Sequence, residues 1–209
     1  VFSYGSELVA KCAEEIGADA GSVRCALDDL KARKLVVVEP LPADTAVYRP
    51  FFHAAQQGFV RAMDALARAP HFPPTFDING VIDEVERGLG LCFSATQRQA
   101  IRESFEKKVL VITGGPGTGK TTIIRAITAV FGKWGKTVIL AAPTGRAAKR
   151  LSEATGREAK TIHRTLEFNP KRGTFRRDAA HPLGGEGSIS DECARGDVSL
   201  MHARIQAIA

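Results

Sequence analysis

Aromatic residues are scarce in this chain, 7% of 209 residues, and it has one Trp, two Met and four Cys. The cysteines, Cys12, Cys25, Cys92 and Cys193, stand far apart and form neither a CxxC pair nor a Cys/His group at zinc-ligand spacing. That excludes a disulfide framework and a structural zinc site, and a reducing, cytoplasmic setting is the expectation. No apolar run approaches the roughly 18 residues that a bilayer span requires, and residues 1–7 hold no basic stretch leading into a long apolar one. No membrane partner is expected. Internal repeats and low-complexity tracts are missing as well.

What is present is enough apolar side chain for a buried core: 44% of the residues are hydrophobic and 25% charged, with 10 Pro and 20 Gly. A disordered or collagen-like chain is excluded. At about 100–200 residues per domain, the length allows one large domain or a small one with a medium one. The residue pattern favours two with a connector, 1–50, 51–92 and 93–209. Charge is uneven along the chain. Residues 1–90 carry 9 Lys and Arg against 13 Asp and Glu, whereas residues 91–209 carry 20 against 10. An anionic partner is expected on the second half, because summed positive charge attracts phosphates and speeds their encounter. The chain opens without Met and stops inside a helical pattern at 198–208, so it reads as a piece of a longer protein.

In residues 6–18, Leu8, Val9, Cys12 and Ile16 recur at helical spacing, and Val23, Ala26, Leu27 and Leu30 repeat the pattern after a short break. Residues 35–38 form a β-branched run, 40–44 a turn and 45–49 a second extended stretch. Helix, helix, strand, turn, strand is the layout of a small winged helix-turn-helix. One use of that layout is DNA contact by the second helix. The local acidity of Asp28, Asp29, Glu39 and Asp44 favours the other, a structural or protein-docking module, since phosphate binding needs positive charge. Residues 51–68 and 78–89 read as connecting helices. Ser94 is a candidate N-cap for a helix over 95–107, and the apolar run 108–113 reads as a strand buried on both faces of a parallel sheet. A helix over 121–134 and a strand over 137–142 come next, with Phe131 and Trp134 expected in the core. The loosest stretch is 169–190.

Between the 108–113 run and the helix lies Gly114-Gly-Pro-Gly-Thr-Gly-Lys-Thr121, which matches GxxxxGK[ST]. Each residue type has a mechanical reason. The glycines Gly114, Gly115, Gly117 and Gly119, with Pro116 and Thr118, let backbone N–H groups turn toward phosphate oxygens at the positive end of the next helix. Lys120 supplies a point charge to the β- and γ-phosphates, and the Thr121 hydroxyl is a ligand for Mg2+ bridging them, with Thr122 beside it. ATP and Mg2+ are therefore the expected cofactors, and the expected fold is α/β, a P-loop (RecA-like) parallel sheet flanked by helices behind the winged helix-turn-helix.

Such a site also needs an acidic residue for the metal and one to position or activate water. The candidates are Asp191 and Glu192, far enough beyond Lys120 for a strand, a helix and a returning strand. Residues 184–190, Gly-Gly-Glu-Gly-Ser-Ile-Ser, do not read as the apolar strand that would carry this pair to a sheet edge. The densest positive stretch runs from Arg146 to Arg177, with 10 Lys and Arg against three Glu. A loop leaving the carboxyl end of a parallel strand is where open α/β sheets bind ligands, so Pro143, Thr144, Gly145 and Arg146 are candidates to face a nucleic-acid backbone. A solvated helix face at Lys149 and Arg150 is the plainer alternative. His163 is assigned no chemistry.

Four segments in order, Phe93-Ser-Ala-Thr-Gln-Arg-Gln-Ala-Ile101, Val111 to Thr122, Ala142-Pro-Thr-Gly-Arg-Ala-Ala-Lys-Arg-Leu151 and Thr161-Ile-His-Arg-Thr-Leu166, resemble successive motifs of bacterial RecD-like superfamily 1 DNA helicases. The resemblance implies that Gln97 reads the adenine edge, that residues 114–121 hold the triphosphate, that Asp191 holds Mg2+ and Glu192 the water, and that residues 143–146 touch single-stranded DNA. It implies ATP-driven translocation and duplex DNA unwinding in the 5′ to 3′ direction, with a second lobe supplying arginine. The family pattern continues Asp-Glu-Ala-Ser, and this chain reads Asp191-Glu-Cys-Ala194. Two other readings stay open: another P-loop protein, although no Asn-Lys-x-Asp guanine motif occurs, and a nucleotide- and DNA-binding fragment without turnover.

Overall fold

The computed structural model describes residues 2–115, 117–193 and 196–208. They fall into two units, Val1–Val60 with Asp197–His202 and Arg61–Gly196 with Ala203–Ala209.

In the first unit, strand β1 (Phe2–Tyr4) leads into helices α1 (Gly5–Ile16) and α2 (Ala20–Ala32), then strands β2 (Val37–Pro40) and β3 (Thr45–Tyr48). Gly17 ends α1 in the left-handed conformation that lacks a steric cost only for glycine, and Asp19 starts α2 by accepting from the Ser22 amide at 2.9 Å. The sheet is antiparallel in the order β1-β3-β2, with Val47 opposite both Ser3 and Val38. Central β3 buries Ala46, Val47 and Tyr48. β1 had no sequence signal, since three residues cannot show an alternation. Helix α3 (Pro50–Arg68) comes next.

The second unit carries α4 (Ile78–Leu89), α5 (Ala95–Glu106), α6 (Lys120–Lys133), β4 (Val138–Ala142), α7 (Gly145–Thr155), β5 (Ala159–Thr161), α8 (Ile162–Thr165), the hairpin β6 (Phe168–Asn169) and β7 (Thr174–Phe175) and β8 (Gly187–Ser190), while α9 (Val198–Gln206) has residues 198–202 in the first unit and the rest in the second. Its sheet is parallel, β5-β4-β8, with Ala142 opposite Thr161 and Ala141 opposite Ser190. Apolar residues of α6, among them Ile123, Ile127 and Val130, pack with Leu140 of β4 and with Ile82, Ile101 and Phe105 from α4 and α5. Phe105 and Phe131 lie 4.6 Å apart between ring centroids, and Trp134 joins them at 6.0 Å from Phe131, so both aromatic residues of α6's end are core, as expected.

Two expectations are corrected here. Residues 108–113 form no strand: Val111 is 75% exposed, and Ile112 packs against the core. A short apolar run specifies burial but not a pairing partner, and among the described residues no strand bonds to it. The sheet position next to β4 is held instead by β8, from the stretch that did not look like a strand. Long-range bonds explain it. Glu186 accepts from the Thr137 amide at 2.8 Å and its own amide donates to the Thr137 carbonyl at 3.0 Å, which starts the ladder. Ile189 meets the core, and Gly187 admits the Phe131 ring, which a Cβ there would touch at 3.0 Å.

Candidate nucleotide site

Three local devices place the glycine-rich loop. Residue Ser94 caps α5 in a reciprocal box: its amide donates to Gln97 Oε1 at 3.0 Å, and the Gln97 amide donates to Ser94 Oγ at 3.3 Å. Arg98, one residue on, reaches back to α4, donating to Glu86 Oε2 at 2.5 Å and to Asp83, and Glu86 accepts from the Phe93 amide at 2.6 Å. So fixed, Gln97 Nε2 donates to the Thr118 carbonyl at 3.4 Å, on the loop itself. Gly119, at φ +82° and the N-cap of α6, has a conformation strained for any other residue, and a Cβ there would push the Gln97 amide aside.

Inside the loop, Lys120 Nζ donates to the Gly114 and Gly115 carbonyls, both at 2.7 Å, and Thr118 Oγ1 donates to the Gly115 carbonyl at 2.9 Å. Gly117 sits at φ +78°, and at Gly115 and Gly117 a Cβ would meet only open space. The ammonium therefore already lies in the curve of the loop. Thr121 and Thr122 occupy the first turn of α6, with Thr121 exposed. Pro116 lies outside the described residues.

Topology brings the other candidates to the same edge. α6 ends four residues before β4 begins, so its first turn lies toward the carboxyl end of that strand, where Pro143 and Thr144 leave the sheet. Thr144 caps α7, its Oγ1 accepting from the Ala147 amide at 3.2 Å, which leaves Gly145 and Arg146 exposed at the first turn. Asp191 comes directly after β8, its amide donating to the Ala141 carbonyl at 3.0 Å. Glu192 turns away at φ +52°, its amide held by Asp191 Oδ1 at 2.9 Å. Both acidic residues are half-buried.

These residues fit a triphosphate with its cation. The donor set of backbone amides, one ammonium, a hydroxyl and a carboxylate is the hard-oxygen chemistry that suits Mg2+ shared with phosphate oxygens. Among the described residues no group of three or more His, Cys, Asp or Glu could hold a metal ion.

A family model described as an AAA domain matches residues 97–209. The chain belongs to the AAA domain family. Within it, the RecD-like resemblance carried by the four motifs is borne out. The chain is 37% identical over 115 residues to the ATP-dependent RecD2 DNA helicase of Deinococcus radiodurans, covering 55% of this chain and 16% of that protein. It is 33% identical over 153 residues to the RecBCD enzyme subunit RecD of Mycolicibacterium smegmatis, 62% of this chain and 27% of the relative. Against the ATP-dependent DNA helicase dda of Enterobacteria phage T4 the identity is 42% over 89 residues, 42% and 20% of the two chains. The chain thus spans about a quarter or less of the curated relatives it matches. Among the described residues no helix is long and apolar enough to cross a membrane.

The AAA domain holds features that sequence reasoning did not single out. Exposed His163 packs edge-on against Phe168 at 5.4 Å and lies 5.8 Å from Phe175, on the β6–β7 hairpin within the stretch read as loose. Arg204 is buried beneath β8. Its place four residues after Leu200 and three before Ala207, on the apolar face of α9, was the available signal.

Proposed function

We propose that this chain is the first motor lobe of an ATP-dependent DNA helicase that translocates 5′ to 3′ along single-stranded DNA. The observation that carries the reading is the convergence at one sheet edge of the Lys120 loop, Asp191 and the exposed α7 start at Gly145 and Arg146. Lys120 exchanges its two carbonyl partners for phosphate oxygens when the nucleotide arrives, so the ammonium remains hydrogen-bonded throughout. Gln97 swings its amide from Thr118 toward the adenine edge. Thr121 and Asp191 are the protein ligands of Mg2+, which when bound neutralises charge on the β- and γ-phosphates. Glu192 orients the attacking water and takes its proton. Pro143, Thr144, Gly145 and Arg146 hold the DNA backbone, with Arg146 as the charge and the α7 amides as donors. The first unit, with its two helices and antiparallel sheet, supports the winged helix-turn-helix assigned to 1–50. Residues 51–92 are then the connector and 93–209 the motor lobe. Its acidic residues make a protein-docking role the better fit for the winged module.

The test compares ATP and GTP hydrolysis by the full-length protein with and without single-stranded DNA. Hydrolysis that prefers ATP and rises with DNA supports the helicase. Equal use of GTP, or indifference to DNA, supports another P-loop protein, and nucleotide binding without any turnover supports a binding fragment.

A further inference from the structure

Arg204 stands where an apolar residue is expected. It lies on α9, one turn after Leu200, and is 2% exposed. Its Nη2 donates to Ser188 Oγ at 2.7 Å and to the Ile189 carbonyl at 3.3 Å, both on β8. Nη1 is buried with no partner among the described residues, and no carboxylate among them forms an ion pair with the guanidinium. Burial pushes its pKa down to about 10, against a small opposing pull from Cys193. A buried cation with no carboxylate partner among the described residues is costly, and a well-packed apolar side chain at such a place is often the more stable choice. A requirement other than stability is needed to account for it.

The acidic turn at the end of β8 supplies that requirement. Two residues after Ile189 comes Asp191, and Glu192 then turns through a left-handed conformation that a non-glycine residue adopts only when its surroundings hold it. The chain here is half-buried and short of regular structure, so the orientation of both carboxylates depends on how firmly the end of β8 is fixed. From β4 the grip is the Asp191 amide on Ala141; from α9 it is the Arg204 fork on Ser188 and Ile189. We propose that Arg204 is a positioning residue for the acidic pair, fixing β8 so that Asp191 meets the nucleotide-bound cation in a single geometry. This rests on the proposed nucleotide site and adds to it a residue that touches neither nucleotide nor metal.

The experiment titrates the 209-residue chain with a fluorescent ATP analogue, in EDTA and across a range of Mg2+, and follows thermal unfolding in parallel. In the wild type, Mg2+ tightens nucleotide binding. In Arg204→Met, binding in EDTA stays at the wild-type level, because the Lys120 loop is untouched, while the Mg2+ concentration needed for tightening rises ~10–100-fold, as is typical when a group orienting a metal ligand is removed. Arg204→Lys restores part of the shift. Ser188→Ala, which removes one of the two acceptors and keeps the charge, moves it in the same direction by less. If Arg204→Met is folded and keeps the wild-type Mg2+ dependence, the fork is a packing tie and the proposal fails. Should Arg204→Met not fold, an unchanged Mg2+ dependence in both Ser188→Ala and Arg204→Lys overturns it equally. A wild-type chain that binds no nucleotide sinks the nucleotide-site reading and this inference together, an outcome separate from variants that merely match the wild type.

Discussion

The glycine-rich loop and the acidic segment arrive at the same sheet edge, yet they are held in opposite ways. Lys120 and Thr118 close the loop on carbonyls three to six residues away, and the farthest tie is Gln97, 21 residues off. Around the acidic segment, local bonds from the Glu192 amide to Asp191 and from the Cys193 thiol to the Ser190 carbonyl are joined by distant ones. Glu186 bonds a backbone amide 49 residues distant, Asp191 bonds Ala141, and Arg204 reaches back 16 residues to Ser188. A loop built from near neighbours keeps its shape whenever the helix behind it forms. A segment built from far neighbours exists only once the sheet has assembled, so its geometry is the more easily lost. The phosphate grip and the metal side of this site should therefore fail separately.

Lys120→Ala attacks the local half, and the largest effect is expected there. Removing a charge-assisted donor from the phosphates weakens nucleotide binding by on the order of 10²-fold or more in an isothermal titration. The circular dichroism spectrum stays that of the wild type, because the bonds the ammonium makes lie within the loop. Gly187→Val strikes the distant half: the new side chain collides with the Phe131 ring and costs about 1–3 kcal/mol in a denaturant melt. Binding in EDTA should survive that change while the benefit of Mg2+ shrinks. If Gly187→Val instead weakens EDTA binding as much as Mg2+ binding, the two halves are not separable and the comparison breaks.

Smaller effects sharpen it. Ser94→Ala removes the cap of α5 and costs ~1 kcal/mol of stability. Because the same box orients Gln97, the variant should also lose some of its preference for ATP over GTP, read by competition with the fluorescent analogue. The smallest change is expected for Glu186→Gln. The Thr137 amide, and less strongly the Lys136 ammonium, hold the Glu186 carboxyl below its ordinary 4.5. A depressed pKa contributes stability that is present above pH 4.5 and is lost as pH falls through the folded-state value. Replacing the carboxylate by an amide should therefore lower stability slightly at neutral pH, leave the most acidic pH nearly unchanged, and so flatten the acid side of the stability profile.

The same contrast decides what could be read from residues alone. Ser94 announced its helix boundary because caps act within three or four residues, and the loop motif did so for the same reason. The 108–113 run failed as a strand because hydrophobicity records burial without naming a partner. β8 was overlooked because only one apolar side chain, Ile189, accompanies its pairing with β4, and its anchor, Glu186, looks like a loop residue until Thr137 is placed beside it. The DNA-facing assignments rest on charge and on position at a strand end. Thr144 shows what that signal omits: its hydroxyl oxygen also caps α7, accepting from the Ala147 amide.

The central claim is that one sheet edge holds a triphosphate between the Lys120 loop and Asp191. The most direct measurement is the amide spectrum of the isotopically labelled chain during titration with Mg2+ and a nonhydrolysable ATP analogue. The account predicts saturable shifts at Gly117, Gly119, Lys120 and Thr121, with Asp191 moving only when Mg2+ is present, and loss of all of them in Lys120→Ala. Resonances of the loop that stay in place while the nucleotide saturates, or that never respond to it, would contradict the account.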